Sequence, residues 1–454
     1  MIRAENYGFR VGNDALLNSR ALQLAVSCGG DIYITSPGVY DVSEQIVVGS
    51  NTTLYFGAGV KLRRQPSVTG KNGFAFINSG AFTMDYNENI KIIGLTLECN
   101  GVESTGFGVT AQIVGMRAQL GFMYVKNLEI CDFECKDLLS KDYAIQVSMF
   151  EDVLVHKVRI EGMKDGVHFG PGCRFIVRDG KFRTNDSPIA LNAFDCSVSN
   201  PNVGWIEDGI IENCYDLNDD ASVGFFCGIF GGCWLDWYEG MEVMHSDAVV
   251  SNGRVYRVVM NPSDGRFYKS VTAPCHESGI AEYDGITWVM AQEGAVYDCG
   301  CRNLHFKDIY LQKKRGISAF VIDFIMDAYA RSYYPGSRAG NQENFVFENI
   351  HFQSDTPLML RSNAPVDNIK IINSDMNGNV LCFQDIGAEG LEYPTTKVLV
   401  SGTTFKGNGS SIITCERKQN VDIKIIGSLV EESYSGTYGG NVNLVSCDLN
   451  IIKE

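Results

Sequence analysis

Two aspartates, Asp165 and Asp186, occupy similar surroundings about one repeat apart in the sequence. Asp165 lies in the run KDGVHF and Asp186 in the run TNDSPIAL, 21 residues later. Carboxyl groups brought to one surface can divide acid and base work, because one donates a proton while the other accepts one. Their mutual repulsion also raises the pKa of one member and keeps it protonated near neutral pH. An aspartate beside glycine equally suits a turn, so it is the pairing that predicts a catalytic site.

A short sequence pattern, called here the strand phrase, recurs along the chain and decides whether residues at this spacing lie side by side. A polar residue, often asparagine, precedes alternating apolar residues and a turn, as in NENIKIIGLTLECNG from Asn87, FEDVLVHKVRIEG from Phe150 and CRNLHFKDIYLQ from Cys301. Spacings of about 22 to 30 residues are typical of one coil of a β-solenoid. A leucine-rich repeat is disfavoured because no L-x-x-L-x-L frame recurs. The pattern predicts an all-β parallel β-helix in which Asp165 and Asp186 are stacked on one face.

Two segments depart from the repeat and set the predicted organisation. Residues 13–28 (NDALLNSRALQLAVSC) follow a helical period and stop at Gly29-Gly30, which predicts an amphipathic helix over the open end of the solenoid. Residues 240–296 contain turns such as Asn252-Gly253 between aromatic strand-like runs, which predicts a small antiparallel β insertion. The predicted units are residues 1–239 (cap and coils), 240–296 (inserted module) and 297–454 (C-terminal coils).

The composition argues against several classes of partner. The net charge is −16, whereas nucleic-acid binding needs clustered lysine and arginine. Apolar stretches fall short of the roughly 20 residues that span a bilayer, and the N-terminus lacks a signal pattern. The 15 cysteines include no C-x-x-C pair, and many lie in strand-like runs, as Cys214 and Cys227 do. We expect a cytoplasmic protein with reduced thiols, without metal or cofactor and without nucleic-acid or membrane partners; a homo-oligomer stays compatible with the sequence.

The two aspartate runs resemble glycoside hydrolase family 28, the polygalacturonases and their relatives in the pectin-lyase-like β-helix superfamily. The family block D-G-I-H is matched by residues 165–168 (DGVH), and the block T-G-D-D-C-I by residues 184–191 (TNDSPIAL). The run from Met116 and the opening run from Gly29 are also similar to the family's coils. The resemblance implies a right-handed β-helix and inverting hydrolysis of a glycosidic bond. Asp186 would be the general acid and Asp165 a water-activating carboxylate.

Three family features are replaced in this sequence. The second of the family's consecutive aspartates is Ser187, and no histidine occurs at residues 223–226, where the G-H-G segment should fall. Residues 318–320 (SAF) stand where the family has R-I-K, and the nearest basic residues are Lys313, Lys314 and Arg315. These changes favour a neutral or differently substituted sugar over galacturonan.

Six residues near the pair are predicted to bind substrate. An aromatic ring offers a platform for the C–H face of a pyranose, while polar and charged groups bond its substituents. Strand alternation places His168 on the opposite side from Asp165, which favours a structural role for this histidine. Packing beneath the insertion is the competing interpretation for the tryptophans, and a structural arginine is the competing one for Arg315. The six residues are His168, Ser187, Trp234, Asp236, Trp237 and Arg315.

The sequence therefore favours a glycosidase acting on oligosaccharides of plant cell-wall or related glycans. Action from the chain end is expected because the insertion would wall one side of the groove. A polysaccharide lyase or epimerase on the same fold is an alternative, and it would need a base such as lysine, arginine, histidine or tyrosine at the sugar C5. A non-catalytic glycan-binding β-helix protein is the second alternative, favoured by Ser187 and the missing histidine.

Overall fold

The short strands wind into one continuous parallel sheet, in which each strand pairs with its counterpart one coil away. In the described residues, 33 strands belong to this sheet. A computed structural model gives the chain over residues 2–452, apart from residues 71, 105–112, 195, 221–222, 234–235, 262–263, 326–338, 386–392, 408, 410, 419–420, 435 and 437. The predicted right-handed parallel β-helix with an N-terminal helix and an antiparallel insertion is confirmed.

The coils that precede the insertion begin with a 3-10 helix at Ala4–Tyr7 and the helix α1 (Ala15–Val26), and a short helix α2 (Gly80–Thr83) follows later. Their strands are β1 (Ile2–Arg3), β2 (Gly30–Ile34), β3 (Gly38–Val42), β4 (Ile46–Val48), β5 (Thr52–Phe56), β6 (Val60–Arg64), β7 (Phe76–Asn78), β8 (Asn87–Ile93), β9 (Thr96–Glu98), β10 (Ala118–Cys131), β11 (Glu134–Leu138), β12 (Tyr143–His156), β13 (Arg159–Gly162), β14 (Val167–Phe169), β15 (Gly172–Arg178), β16 (Lys181–Thr184), β17 (Ile189–Asn192), β18 (Ile206–Asp216) and β19 (Cys227–Cys233).

The insertion and the later coils supply the remaining strands. Those of the insertion are β20 (Glu242–Val243), β21 (Ala248–Ser251), β22 (Arg254–Val258), β23 (Tyr268–Lys269), β24 (Ile280–Tyr283) and β25 (Ile286–Glu293). Those of the later coils are β26 (Asp298–Cys299), β27 (Cys301–Leu311), β28 (Ser318–Phe324), β29 (Glu343–Phe352), β30 (Leu358–Ser362), β31 (Asn368–Ile372), β32 (Asp375–Asn377), β33 (Val380–Phe383), β34 (Thr396–Ser401), β35 (Thr404–Lys406), β36 (Ile413–Cys415), β37 (Val421–Glu431), β38 (Tyr438–Gly440) and β39 (Val442–Ile452).

Residues with a left-handed backbone conformation (positive φ) lie at the sharp bends of successive coils, where they align in two columns along the solenoid. Asparagine and aspartate tolerate this conformation better than other non-glycine residues, which is why they recur in the strand phrases. Asn89 also donates to Asn51 at 2.8 Å, and Asn127 donates to Asn89 at 2.7 Å, so the amides form a ladder along one bend. The first column comprises Asn51, Asn89, Asn127, Asp152, Arg174, Asp208, Asn303 and Asn344, and the second Asp132, Lys157, Asp179, Asn213, Asp308, Asn349 and Asn373.

The inward-facing side chains stack from coil to coil into a single apolar core. In β8, for example, Ile90 and Ile92 are fully buried in the core while Lys91 between them faces outward. Phenylalanine rings also stack along the axis, as Phe306 and Phe347 do with centroids 5.0 Å apart. Because no coil can bury its apolar face alone, this stacking provides most of the favourable free energy of folding.

The helix α1 covers the N-terminal end of this core. Its N-cap is Asp14, whose carboxylate accepts a hydrogen bond from the Leu16 N–H at 2.9 Å. Ala21, Leu22 and Ala25 are among the residues it buries in the core cluster of the solenoid. The helix therefore shields the first strands from solvent, as the sequence predicted.

The insertion is a small antiparallel unit between β19 and β26. Strands β21, β22, β25 and β24 form a four-stranded antiparallel sheet in that order, and β20 pairs with β23. Trp288, Tyr256 and Met290 lie in a cluster of their own, separate from the core of the solenoid. The exact limits 1–239, 240–296 and 297–454 stay a prediction. Among the described residues, no helix is long and apolar enough to cross a membrane.

Candidate active site

The register between adjacent coils brings Lys164, and not Asp165, directly opposite Asp186. Val167 of β14 pairs with Ile189 of β17, an offset of 22 residues. The Lys164 ammonium accordingly contacts the Asp186 carboxylate. The 21-residue separation of Asp165 and Asp186 matches one coil only approximately, because it is one residue short of this offset. The two aspartates are diagonal neighbours on adjacent coils.

The two carboxylates nevertheless meet at one backbone donor. The Ser187 N–H lies 3.3 Å from Asp165 Oδ1 and 3.1 Å from Asp186 Oδ1. These two distances bound the separation of the carboxylate oxygens at about 6.4 Å. Ser187 is buried, and the contacts that tie it to the aspartates come from its backbone. The residue that replaces the family's second aspartate thus holds the pair together.

His168 orients Asp165 from the same side of the strand. Its Nδ1 lies 3.0 Å from Asp165 Oδ2, and its ring stacks on Tyr143 with centroids 4.0 Å apart. The prediction that the two side chains lie on opposite sides is wrong, because β14 begins at Val167 and strand alternation does not extend back to Asp165. His168 is fully buried. It positions Asp165 and does not reach the surface as a substrate-binding residue would.

Burial and charge set the protonation of the pair. Burial raises the pKa of Asp186, and the neighbouring Asp165 carboxylate raises this pKa further, while Lys164 opposes both. Burial lowers the pKa of Lys164, but the charges of Asp165 and Asp186 outweigh it and leave that pKa above its ordinary value. Lys164 is therefore a cation at neutral pH, and Asp186 is more easily protonated than an exposed aspartate.

A basic and aromatic group lies beside the carboxylates. The Lys164 ammonium is 6.0 Å from the centroid of the Tyr143 ring, and the Arg117 guanidinium is 5.5 Å from the same ring. Tyr143 itself is buried. Sequence reasoning missed Lys164, Tyr143 and Arg117. For Lys164 the signal was its place directly before Asp165, whereas Tyr143 begins β12, Arg117 directly precedes β10, and neither belongs to a motif.

Arg315 holds its own chain together, and its guanidinium is not directed toward a substrate. Its guanidinium forms two hydrogen bonds with Asp216, at 2.9 and 2.8 Å, and both side chains are buried. Its remaining contacts are the backbone carbonyls of Asn185, Asp186 and Val223, at 2.7 to 3.3 Å. The predicted substrate-binding role of Arg315 is corrected accordingly, since its donors are committed to its own chain. It fixes the turn that carries Asp186.

Gly224 belongs to the next coil, where its backbone lies directly against Asp186. A Cβ at this position would lie 2.8 Å from Asp186 Oδ1 and 3.0 Å from the Asp186 Cα. Its φ of +68° also disfavours any residue with a side chain. Glycine here allows the backbone to pass directly against the candidate acid, at the place where the family's G-H-G segment was expected.

Trp237, one half of the predicted sugar platform, belongs to the insertion. Trp237 packs against the core of the insertion, and its indole N–H donates to Ser270 Oγ at 2.8 Å. Asp236 is exposed and accepts a hydrogen bond from the Tyr297 hydroxyl at 2.7 Å. Both predicted substrate-binding residues therefore belong to the junction with the insertion. Trp234 lies outside the described residues.

Groups of side chains that could hold a metal ion lie away from the aspartate pair. Within the described residues there are two such groups, one of Cys99, Cys135 and Asp137 and one on the outer face made by Glu129, Cys131 and His156. Neither contains Asp165 or Asp186.

Comparison with known proteins identifies the fold. No family model matches the sequence, and no curated protein matches it. The family 28 exopolygalacturonase of Yersinia enterocolitica superposes with a TM-score of 0.50 at 12% identity, over 97% of this chain and 78% of that chain. The shared fold is the right-handed parallel β-helix. At this identity the superposition shows the fold alone, and it agrees with the β-helix that the resemblance implied.

Two further structures share this architecture. The A-module of a mannuronan C-5 epimerase from Azotobacter vinelandii matches with a TM-score of 0.50 at 11% identity, over 100% of this chain and 98% of that chain. The tailspike protein of the E. coli bacteriophage HK620, in complex with a pentasaccharide, matches with a TM-score of 0.50 at 13% identity, over 99% of this chain and 65% of that chain. Hydrolase, epimerase and tailspike thus use one scaffold, so the side chains must decide the activity.

Proposed function

We propose that this chain is a glycoside hydrolase that cleaves oligosaccharides, with Asp186 as the general acid and Asp165 as the water-activating carboxylate. The observation that carries the proposal is the shared Ser187 N–H, which holds both carboxylates on one face of the solenoid. The raised pKa of Asp186 supports its role as proton donor. A glycan as substrate accords with the exopolygalacturonase and the pentasaccharide-bound tailspike of the same fold.

In this mechanism Asp186 protonates the leaving oxygen as the glycosidic bond breaks. Asp165 takes a proton from the water that attacks the sugar carbon, and its hydrogen bond with His168 keeps the carboxylate oriented. Lys164 contacts Asp186 in the empty site and stabilises its ionised form. Binding of a sugar between them would separate the ion pair and raise the pKa of Asp186 further, which favours its protonated form in the complex.

The configuration of the product is a separate part of the proposal. Inversion is what the resemblance to family 28 implies. The Oδ1 atoms of Asp165 and Asp186 are at most about 6.4 Å apart. This upper limit lies just below the roughly 6.5–9.5 Å between the carboxyl groups of inverting enzymes, and it allows the roughly 5–5.5 Å found in retaining ones. We propose inversion, and the anomer formed first, observed by NMR, distinguishes direct attack by water from a covalent intermediate.

A lyase or epimerase is a second candidate, favoured by the basic and aromatic group at the site. Such enzymes remove the proton at C5 of a uronate, and the cluster of Lys164, Tyr143 and Arg117 supplies the required residue types beside Asp165. An unsaturated product absorbs in the near ultraviolet, and an epimerised product shows exchange of the C5 proton with solvent. Elimination frees one new reducing end for each unsaturated end, whereas epimerisation frees none. An unsaturated product, or exchange of the C5 proton without a new reducing end, would therefore replace hydrolysis by this second function.

The experiment is a screen of defined oligosaccharides by NMR. Each is incubated with the full chain, and new reducing ends, their initial anomeric configuration and unsaturated signals are recorded together. We expect new reducing ends from the chain end only, because the insertion between β19 and β26 would limit the groove. Release of internal fragments would contradict action from the chain end. Binding without any turnover would favour the non-catalytic glycan-binding protein.

A further inference from the structure

A second group of side chains lies on the same outward face as Asp186, toward the C-terminal coils. On β28, Asp323 stands between Ile322 and Phe324, which both belong to the core, so its side chain leaves the opposite face. Arg361 follows the core residue Leu360 on β30 and faces outward in the same way. This group is not used by the proposed cleavage step.

The register relates this group to the aspartate pair. Ala190, four residues after Asp186, pairs with Gly228, which pairs with Val321, which in turn pairs with Arg361. Three strand spacings of about 4.8 Å place Arg361 roughly 14 Å from Ala190 along the solenoid axis. An oligosaccharide lying along the outward face could therefore contact both places.

Phe225 connects the two groups. It directly follows Gly224, the residue that touches Asp186. Its ring lies 5.7 Å from the Arg361 guanidinium and 6.4 Å from the ring of Phe230. Phe225 is half-buried, so part of its ring is open to solvent. A strip of side chains thus extends from the candidate acid through an aromatic ring to Arg361.

Asp323 and Arg361 leave an unmatched donor and acceptor next to each other. One guanidinium nitrogen of Arg361 pairs with Asp323 Oδ2. The other carboxylate oxygen, Asp323 Oδ1, and the Arg361 Nε–H are buried and find no hydrogen-bond partner among the residues that the structure describes. Asp323 is only 3% exposed, whereas 22% of the Arg361 side chain is exposed. Rotation of the partly exposed arginine would open this pair to a ligand group that both donates and accepts, as a hydroxyl does.

Two arginines and two aspartates that the structure describes in this region balance each other in charge. Arg361 is paired with Asp323, and the buried Arg417 nearby interacts with both Asp323 and Asp385. Among these four described side chains, no net positive charge is left over to attract a carboxylate or sulfate group. A hydroxyl-rich, uncharged ligand that presents one apolar face to a ring fits this combination best.

We propose that Phe225, Arg361 and Asp323 form a distal subsite that binds a neutral pyranose of the oligosaccharide cleaved at Asp186. This inference rests on the proposed function for the position of the cleaved bond. The sugar packs a C–H face on Phe225, and one of its hydroxyls accepts from Arg361 and donates to Asp323. With this subsite the chain would bind a neutral glycan, although one of the solved structures with the same fold is an exopolygalacturonase.

The test uses calorimetry with the full-length Asp186→Asn variant, so that bound probes stay intact. The probes are neutral xylo-, manno- and gluco-oligosaccharides from disaccharide to pentasaccharide, and oligogalacturonides of the same lengths. We expect one neutral series to gain affinity when its chain becomes long enough to reach Phe225. Phe225→Leu and Asp323→Asn should each remove about tenfold of that gain and leave the disaccharide Kd unchanged.

Control variants and alternative outcomes keep this test decisive. Phe267→Leu alters an exposed phenylalanine of the insertion and should change no Kd. The subsite is contradicted if no neutral series binds more tightly with length, if oligogalacturonides gain more, or if Phe225→Leu weakens disaccharide and pentasaccharide equally. If Phe225-dependent binding is found but the unmodified chain cleaves nothing, the hydrolase function fails while the subsite stands.

Discussion

Lys164 and Asp186 occupy equivalent positions on successive coils, and the ammonium of one contacts the carboxylate of the other. Their side chains are 25% and 29% exposed, so the pair is neither deeply buried nor fully solvated. In the empty site this contact works against burial and against Asp165, which both raise the pKa of Asp186. The pH at which Asp186 loses its proton therefore depends on Lys164.

Replacing Lys164 by methionine should move the pH profile. Without the cation, burial and the Asp165 charge raise the pKa of Asp186 further. Activity that needs protonated Asp186 is lost as pH rises through this pKa, so the alkaline limb of kcat/KM should shift to higher pH. Lys126→Met, which removes a surface partner of Glu151, should leave the profile in place. An unshifted limb in Lys164→Met would show that Asp186 is not the titrating acid.

Gly224→Ala should disable the site without unfolding the chain. The new methyl group would lie 2.8 Å from Asp186 Oδ1 and force this carboxylate to move. We expect kcat to fall by about a hundredfold, since displacements near 1 Å carry costs of that order. Gly279→Ala is the matched control, because its φ is also +68° and nothing lies within 4 Å of its Cβ. Both variants should lose about 1–2 kcal/mol of stability, and equal activity in the two would exclude the steric explanation.

Arg315→Met should destabilise the fold more than any surface arginine does. It leaves the buried Asp216 carboxylate without its partner, a change that costs about 3–5 kcal/mol. Arg174→Met, which breaks an exposed pair with Asp152, should cost less than about 1 kcal/mol. Denaturant unfolding of both variants measures the difference. A double variant Arg315→Met with Asp216→Leu should recover part of the loss, and no recovery would show that the unpaired charge is not the cause.

Asp142 should make stability fall as pH rises toward neutrality. Burial raises the pKa of Asp142 from 3.8 to about 7. Between these values the native state binds more protons than the unfolded state, so the free energy of unfolding decreases with increasing pH, by up to the order of 4 kcal/mol. Asp142→Asn should remove this dependence and keep the hydrogen bonds from Gln119 and Ser104. The free energy of unfolding is measured at pH 5 and at pH 8 for the unmodified chain and for Asp142→Asn. An equal decrease from pH 5 to pH 8 in both proteins would contradict this prediction.

Most of the fold could be predicted because its determinants are local. The recurring asparagines of the strand phrases mark bends such as those at Asn89 and Asn127, and strand alternation defines the inward face. The capping helix followed from its periodicity, although Leu17 and Leu24 are exposed, at 55% and 60%. These features depend on the conformational preferences of single residues and on short-range periodicity.

The site was harder to predict because it depends on register between coils. Motif spacing indicated that Asp165 and Asp186 would stack, but the actual offset of 22 residues brings Lys164 opposite Asp186. The buried ion pair between Arg315 and Asp216 joins residues that are 99 positions apart, and no local sequence pattern reveals such a contact. Residue types identified the two carboxylates, and only the coil geometry identified what surrounds them.

Turnover of the Asp186→Asn and Asp165→Asn variants is the most direct test of hydrolysis by this pair. On an oligosaccharide cleaved by the unmodified chain, kcat should fall at least about a thousandfold in each variant, with substrate affinity and unfolding temperature retained. Asp236→Asn, which alters the exposed aspartate at the insertion, should keep near-normal turnover. A kcat close to that of the unmodified chain in either Asp186→Asn or Asp165→Asn would contradict the assignment of the active site.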